Sequence, residues 1–382
     1  MMGDAARLSK WVDAQRLREL LVEAVDHYSP TYAEEPVIRV FRDVFREASI
    51  PYMLQRVRSP HRIGPRANIV VEIGPQPPAL LLVGHVDTVM LWYEGSHRAE
   101  VKGNRLEGLG AADTKGGCAA MVEAIRALVD SKRKLRQGVC LGLVVGEEEY
   151  GDGAARLAEE IRAPLTIVAE PTQLLPCIAH NGYLEAHLVT HGVRAHAAFP
   201  ERGRNAIEAM LHWVLRISET VRADLETEAV VVSPREIRGG DAGFVVAENC
   251  EAYLDIHLPP TGSATAVEQI IERTRGKILR GPAEYSLRYE RCFWSPGFTE
   301  QGDGKAIGGL SEAFRRAGQA WAPSVFRSHS DAPRFHEAGS VTVVCGPGDL
   351  ASAHSRYEWV SLHEVERAAH LYASIVETLC GC

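Results

Sequence analysis

The chain has 382 residues, a formal net charge of −8, 46% hydrophobic residues and 24% charged residues. That length exceeds one ordinary hydrophobic core, so two domains are expected, and the composition is that of a globular protein. The acidic balance argues against a nucleic-acid backbone as partner.

The start, Met1-Met2-Gly3-Asp4-Ala5-Ala6-Arg7, lacks a basic segment followed by an apolar one. No stretch approaches a membrane span, so a cytoplasmic protein without membrane contact is expected. The eight cysteines show no paired metal spacing, and reduced, buried thiols are expected.

In chain order, the first informative run is Leu80–Val83, which leads into Gly84-His85-Val86-Asp87. A short continuous apolar run before turn residues reads as a buried parallel strand. Asp87 lies two residues after His85, so in extended backbone both side chains point the same way. Asp87 could then accept the second imidazole N–H of a metal-bound His85. Next, Gly108-Leu109-Gly110-Ala111-Ala112-Asp113-Thr114-Lys115-Gly116-Gly117 is a glycine-rich loop opening a helix over 118–129. Lys115 is not a phosphate-loop lysine, because the required glycine and hydroxyl spacing is absent.

Two more apolar runs follow the same grammar. Val139–Val145 leads into Gly146-Glu147-Glu148-Glu149, and Leu165–Val168 leads into Ala169-Glu170-Pro171-Thr172. From Asn181-Gly182 onward the pattern changes, and 183–190 alternates apolar with polar. Strands over 230–232, 245–246 and 253–258, with helices over 206–223 and 264–279, suit an antiparallel sheet covered by helices. Near Phe293-Trp294-Ser295-Pro296-Gly297 the chain turns back, 306–318 reads as helix, and the run Val341–Val344 leads through Cys345-Gly346-Pro347-Gly348-Asp349 to His354. The expected fold is therefore α/β: a discontinuous domain over 1–181 and 294–382 built on a mostly parallel sheet, with an inserted α+β domain over 182–293.

In open α/β sheets ligands lie beyond the carboxyl ends of the parallel strands, so His85, Glu147, Glu148, Glu170 and His354 should meet there with Asp113. Four carboxylates in one place would repel one another unless cations compensate them. Two imidazoles and several carboxylates suit two divalent ions, Zn²⁺ first, with Co²⁺ or Mn²⁺ as substitutes.

The ordered blocks Gly-His-x-Asp-Thr-Val, Gly-x-Gly-Ala-x-Asp-x-Lys-Gly-Gly, Glu-Glu-Glu, Glu-Pro-Thr and Gly-Pro-Gly…Ala-His resemble the aminoacylase / acetylornithine deacetylase / succinyl-diaminopimelate desuccinylase / glutamate carboxypeptidase family of metallohydrolases, from about Arg39 to the C-terminus. The resemblance implies that His85 and Glu170 bind one metal, Glu148 and His354 the other, and that Asp113 bridges them. It makes Glu147 the general base and Asp87 the support of His85. It also implies that the insertion is a dimerisation domain, giving a homodimer. The stretch His191–Ala206 resembles the family's Ala-His…Pro-x-x-Gly-x-Asn-Ala block, which implies that His196 steadies the oxyanion and makes Asn205 a substrate-binding candidate.

Departures bear on the substrate. Phe244 and His257 stand where the family often has an Asn and an Arg that hold the substrate's carboxylate, and Met90 replaces a common proline. Arg327, Arg334 and Arg356 are candidates for that carboxylate instead. The reading is a metal-dependent amidohydrolase of a small N-acyl amino acid, acting through a metal-activated water. A dipeptidase or glutamate-carboxypeptidase-like enzyme is the alternative, and a metal-binding, non-catalytic relative is a second one.

Overall fold

The computed structural model describes residues 7–58, 66–91, 97–224, 230–240, 243–279, 285–301 and 304–381. The elements run α1 (Ala14–Asp26), α2 (Glu35–Glu47), β1 (Met53–Val57), β2 (Arg66–Ile73), β3 (Pro78–His85), β4 (Glu100–Lys102), β5 (Arg105–Glu107), α3 (Gly116–Asp130), β6 (Gly138–Val144), α4 (Asp152–Glu160), β7 (Leu165–Pro171) and β8 (Cys177–His180). They continue through β9 (Gly182–His191), α5 (Ala206–Asp224), β10 (Val231–Gly239), β11 (Asn249–Leu258), α6 (Ala264–Leu279), β12 (Ser286–Ser295) and β13 (Phe298–Thr299). The last stretch holds α7 (Lys305–Arg316), β14 (Ser324–Phe326), α8 (Ala332–Glu337), β15 (Val341–Gly346), β16 (Trp359–Ser361) and α9 (Leu362–Val376). Two compact units result: Met1–Ile178 with Glu300–Phe326 and Ser330–Cys382, and Ala179–Thr299 with Arg327–His329.

The first unit is built on a mixed sheet whose central strands, in the order β6-β3-β7-β15, are parallel. These are the four continuous apolar runs of the sequence, and their residues are buried almost throughout because both faces are covered. Register aligns their carboxyl ends, with His85 opposite Val144, and Val83 and Val344 both opposite Val168. The flanking β1 and β2 run antiparallel. Helix α3 is buried on nearly every side, as its Ala-rich, apolar sequence requires.

The second unit carries an antiparallel sheet in the order β10-β11-β9-β12. Along β9 burial alternates, so Leu184, Ala186 and Leu188 join a core with Met210, Trp213 and Ile217 of α5 and Val267 and Ile271 of α6. The fully buried Trp213 keeps its indole N–H satisfied by Ile271 O at 3.3 Å and Thr274 Oγ1 at 3.2 Å. Val245 and Val246, expected as a strand, form only an isolated bridge between Val245 and His196. Strand β12 was not expected, since its exposure is irregular and a bulge interrupts it between Arg291 and Phe293. No described helix is long and apolar enough to cross a membrane.

Candidate metal centre

The centre forms where the parallel strands of the first unit end. His85 is the last residue of β3 and is almost fully buried. Its Nε2 lies 3.0 Å from Asp113 Oδ1, 3.8 Å from Glu170 Oε2 and 3.9 Å from Glu147 Oε2. Asp113 turns its other oxygen the opposite way, 3.3 Å from His354 Nε2. His354 Nε2 is in turn 3.1 Å from Glu148 Oε2. Asp113 therefore stands between a His85–Glu170 pair and a His354–Glu148 pair.

Local backbone explains these directions. Asp113 occupies a non-helical residue (φ −118°, ψ 87°) just before α3. Gly117 permits the approach of α3 to β7, because a Cβ there would sit 2.7 Å from the Ala169 carbonyl oxygen. The Thr114 hydroxyl donates to that same Ala169 carbonyl. Lys115 is buried and donates to the His27 carbonyl at 2.9 Å, tying the loop to the end of α1. Burial lowers its pKa to about 7.

Asp87 acts differently from the simple expectation. His85 Nδ1 meets the Asp87 backbone carbonyl at 3.1 Å, whereas the nearer carboxylate oxygen is 3.6 Å away, beyond a hydrogen bond. The carboxylate instead accepts the N–H groups of Gly146 (2.9 Å), Glu147 (3.2 Å) and Glu148 (3.1 Å), and the Thr31 hydroxyl at 2.7 Å. It thus fixes the backbone that carries Glu147 and Glu148. Gly146 adopts φ +83°, and a Cβ there would strike Asp152 and Arg66. Those two residues pair at 2.5 Å, and Arg66 also pairs with the buried Glu34 at 2.7 Å, holding the start of α4.

The electrostatics call for cations. Burial pushes the Glu147 carboxyl well above its usual range, and the Glu170 and Glu148 charges act in the same direction. Burial lifts Glu170 to about 7. Despite its own burial, bonds from His354 and His85 hold Asp113 below the carboxylate range. Glu170 Oε1 is buried with no hydrogen-bond partner among the described residues. The ligand atoms of His85, Asp113 and Glu148 lie within 4.8 Å of one another. A nitrogen-and-oxygen donor set with an orphaned carboxylate oxygen fits divalent ions.

Two acids of this region were not anticipated. Asp331, before α8, is buried, and burial with the Glu170 and Asp87 charges raises it to about 8. Glu358 is buried and accepts three N–H groups of the loop around Asp113. Each is a single acid without a repeated motif; only its place before a Pro-containing helix start or a short strand marks it.

Each remaining candidate sits in its own local setting. His196, in the second unit, is exposed, and its Nδ1 accepts the Ala198 N–H at 3.1 Å, which leaves the proton on Nε2. Hydrogen bonds from Ala197 to Phe244 and from Val246 to Ala195 hold its loop. The Asn205 side chain accepts the Ile207 N–H at 3.0 Å and bonds Glu208, so it caps the start of α5. The Arg327 side chain is exposed, Arg334 is half-buried on α8, and Arg356 lies over the Tyr357 ring. Phe244 is 85% exposed, and the His257 ring lies 5.1 Å from that of Tyr183.

Known proteins resemble most of the chain in sequence and in fold. The chain is 30% identical to an acetylornithine deacetylase of Myxococcus xanthus over 79% of this chain and 80% of that protein. It is 29% identical to the acetylornithine deacetylase of Proteus mirabilis over 82% of each. Among solved structures, a di-peptidase from Saccharomyces cerevisiae superposes with a TM-score of 0.79 at 10% identity, covering 98% of both chains. Human carnosine dipeptidase 1 superposes with a TM-score of 0.75 at 13% identity, covering 98% of this chain and 99% of its own. The family model for peptidase family M20/M25/M40 matches residues 81–378, a span that includes every residue of the His85–Asp113–His354 cluster. The chain is a hydrolase belonging to peptidase family M20/M25/M40.

Proposed function

We propose that the protein hydrolyses the amide bond of a small N-acyl amino acid, as a deacylase of the acetylornithine deacetylase type. The observation that carries this reading is Asp113, whose two oxygens face His85 at 3.0 Å and His354 at 3.3 Å. His85, Glu170 and Asp113 would hold one divalent ion, and Glu148, His354 and Asp113 the second, with Zn²⁺ preferred by the donor set. When bound, the ions supply positive charge that acidifies a water molecule and polarises the amide carbonyl.

The chain's own groups do the rest. Glu147, buried beside His85, takes the proton from the attacking water and later returns it to the leaving amine. A carboxylate is suited to both steps, because it accepts the proton from water and holds it until the amine leaves. Asp87 fixes the Glu147 backbone, so the base cannot drift from the reacting oxygen. The His196 Nε2–H serves as donor to the developing oxyanion, supplied by its own chain or by a second copy in a homodimer. Arg334, half-buried on α8, is the candidate partner for a substrate carboxylate, since Phe244 and His257 replace the residues that the resemblance would assign.

The names and sequence similarity of the deacetylase relatives favour a deacylase over a dipeptidase. A panel of N-acetyl and N-succinyl amino acids and dipeptides, assayed with Zn²⁺, Co²⁺ or Mn²⁺, tests it. Turnover of acyl amino acids above dipeptides supports the proposal; turnover of dipeptides alone moves the substrate to the peptidase class.

A further inference from the structure

We propose that Glu358 is a positioning residue for the centre: its buried carboxylate grips the backbone leading into Asp113 and so aims both Asp113 oxygens. This inference rests on the two-ion reading above.

Glu358 is only 3% exposed. Its Oε2 accepts the Gly110 N–H at 3.0 Å, and its Oε1 accepts the N–H groups of Ala112 at 2.9 Å and Asp113 at 3.0 Å. The Glu358 backbone carbonyl adds a fourth bond, from Gly108 N at 3.1 Å. The loop needs these acceptors, because Gly110 lies in the left-handed region (φ +81°) and Asp113 is non-helical. Successive N–H groups in such a bend form a concave anion cradle. Here a side chain of the same protein fills it.

The chain position of Glu358 gives the cradle its consequence. Four residues upstream, the same segment carries His354, whose Nε2 meets Asp113 Oδ2. Glu358 therefore links the segment bearing His354 to the loop bearing Asp113, and both residues serve one ion in the proposed reading. A second buried carboxylate provides a contrast. Glu123 on α3 accepts from Asp13 N and from two nitrogens of Arg16, which clamps the N-terminal segment to the helix and, among the described residues, gives no bond to the 108–113 loop. Glu123 holds a fold contact; Glu358 holds the geometry of a ligand set.

A glutamine at 358 has one carbonyl oxygen, so it satisfies the Ala112–Asp113 pair or Gly110 but not all three N–H groups. An alanine satisfies none. Loss of an outer support of a ligand costs ~10–100-fold in metal affinity. The test titrates Co²⁺ into the full chain, reading affinity and the visible absorption of the bound ion, with circular dichroism and thermal melting as the check on folding. Wild type binds two Co²⁺; Glu358→Gln binds ~10-fold and Glu358→Ala ~100-fold more weakly with an altered absorption band, while Glu123→Gln keeps the wild-type affinity and band. Wild type binding fewer than two Co²⁺ overturns the underlying two-ion reading. Wild type binding two while a folded Glu358→Gln matches it in affinity and band overturns this proposal alone. Equal losses in Glu123→Gln, or unfolding of both Glu358 variants with Glu123→Gln folded, make Glu358 a stability residue and overturn it as well.

Discussion

The loops around Asp113 and Glu147 and the loop around His196 carry candidate catalytic groups in opposite ways. In the first unit every acid of the cluster is buried or half-buried, and other carboxylates grip its backbone: Asp87 the segment 146–148, Glu358 the segment 110–113. In the second unit His196 is exposed, its ring bonded to Ala198 and its backbone tied to 244–246. Burial sets the demand. Like charges crowded in a low-dielectric site repel, so their carriers must be locked by bonds that leave no slack. A single neutral donor has no such opponent and can sit on a surface loop, where function is commonly carried.

The buried cluster is the more sensitive of the two. Glu147→Gln keeps the size but removes the base, so turnover should fall ~10²–10⁴-fold with metal content unchanged. Full activity in this variant would move the base elsewhere. On the exposed side, His196→Ala should lower turnover ~10²-fold and leave metal content intact, because the ring belongs to no ligand pair. If the histidine acts across two copies, mixing this variant with Glu147→Gln in a preparation that exchanges subunits should restore activity; no recovery there assigns His196 to its own chain.

Asp87→Asn loosens the backbone lock directly. An amide cannot accept from Gly146, Glu147, Glu148 and Thr31 as the carboxylate does. Metal affinity should drop ~10–100-fold, measured by competition with a chelator. An unchanged affinity would make the Asp87 contacts dispensable.

A stability effect, read without activity or metal, separates the exposed His196 from a buried histidine of the same unit. Burial lowers His180 to about 4, below its ordinary value near 6.5. Between those values the unfolded chain takes up a proton and the native ring does not. Stability is therefore full above about pH 6.5 and is lost as pH falls toward about 4, by up to ~1.4 kcal/mol per unit. His180→Phe keeps a ring against Phe298, 5.5 Å away, and should flatten thermal melting across that window. An identical slope in the variant would assign the loss to other groups.

The sequence made the parallel strands legible because burial on both faces leaves continuous apolar runs. It made the acids beyond them legible because each run ends in one. His85, Asp113, Glu148, Glu170 and His354, far apart in the chain, do converge. What escaped is what leaves no periodic trace. Strands β1 and β2 extend the sheet with antiparallel pairing, a geometry that no apolar run announces. Glu358 and Asp331 are single acids whose meaning comes from burial alone. Asn205 carries a cap signature just before an apolar helix, and its side chain serves that helix in the structure. Strand periodicity aims the Asp87 carboxylate at His85, but three N–H groups beyond β6 donate to it at shorter range.

If Asp113 joins two ligand pairs, its removal must release both ions, and the decisive measurement counts divalent ions bound by wild type and by Asp113→Ala. Wild type should bind two ions per chain and Asp113→Ala should lose the pair, with the fold retained by circular dichroism. Fewer than two ions in folded wild type, or two ions bound with unchanged affinity by Asp113→Ala, would contradict it.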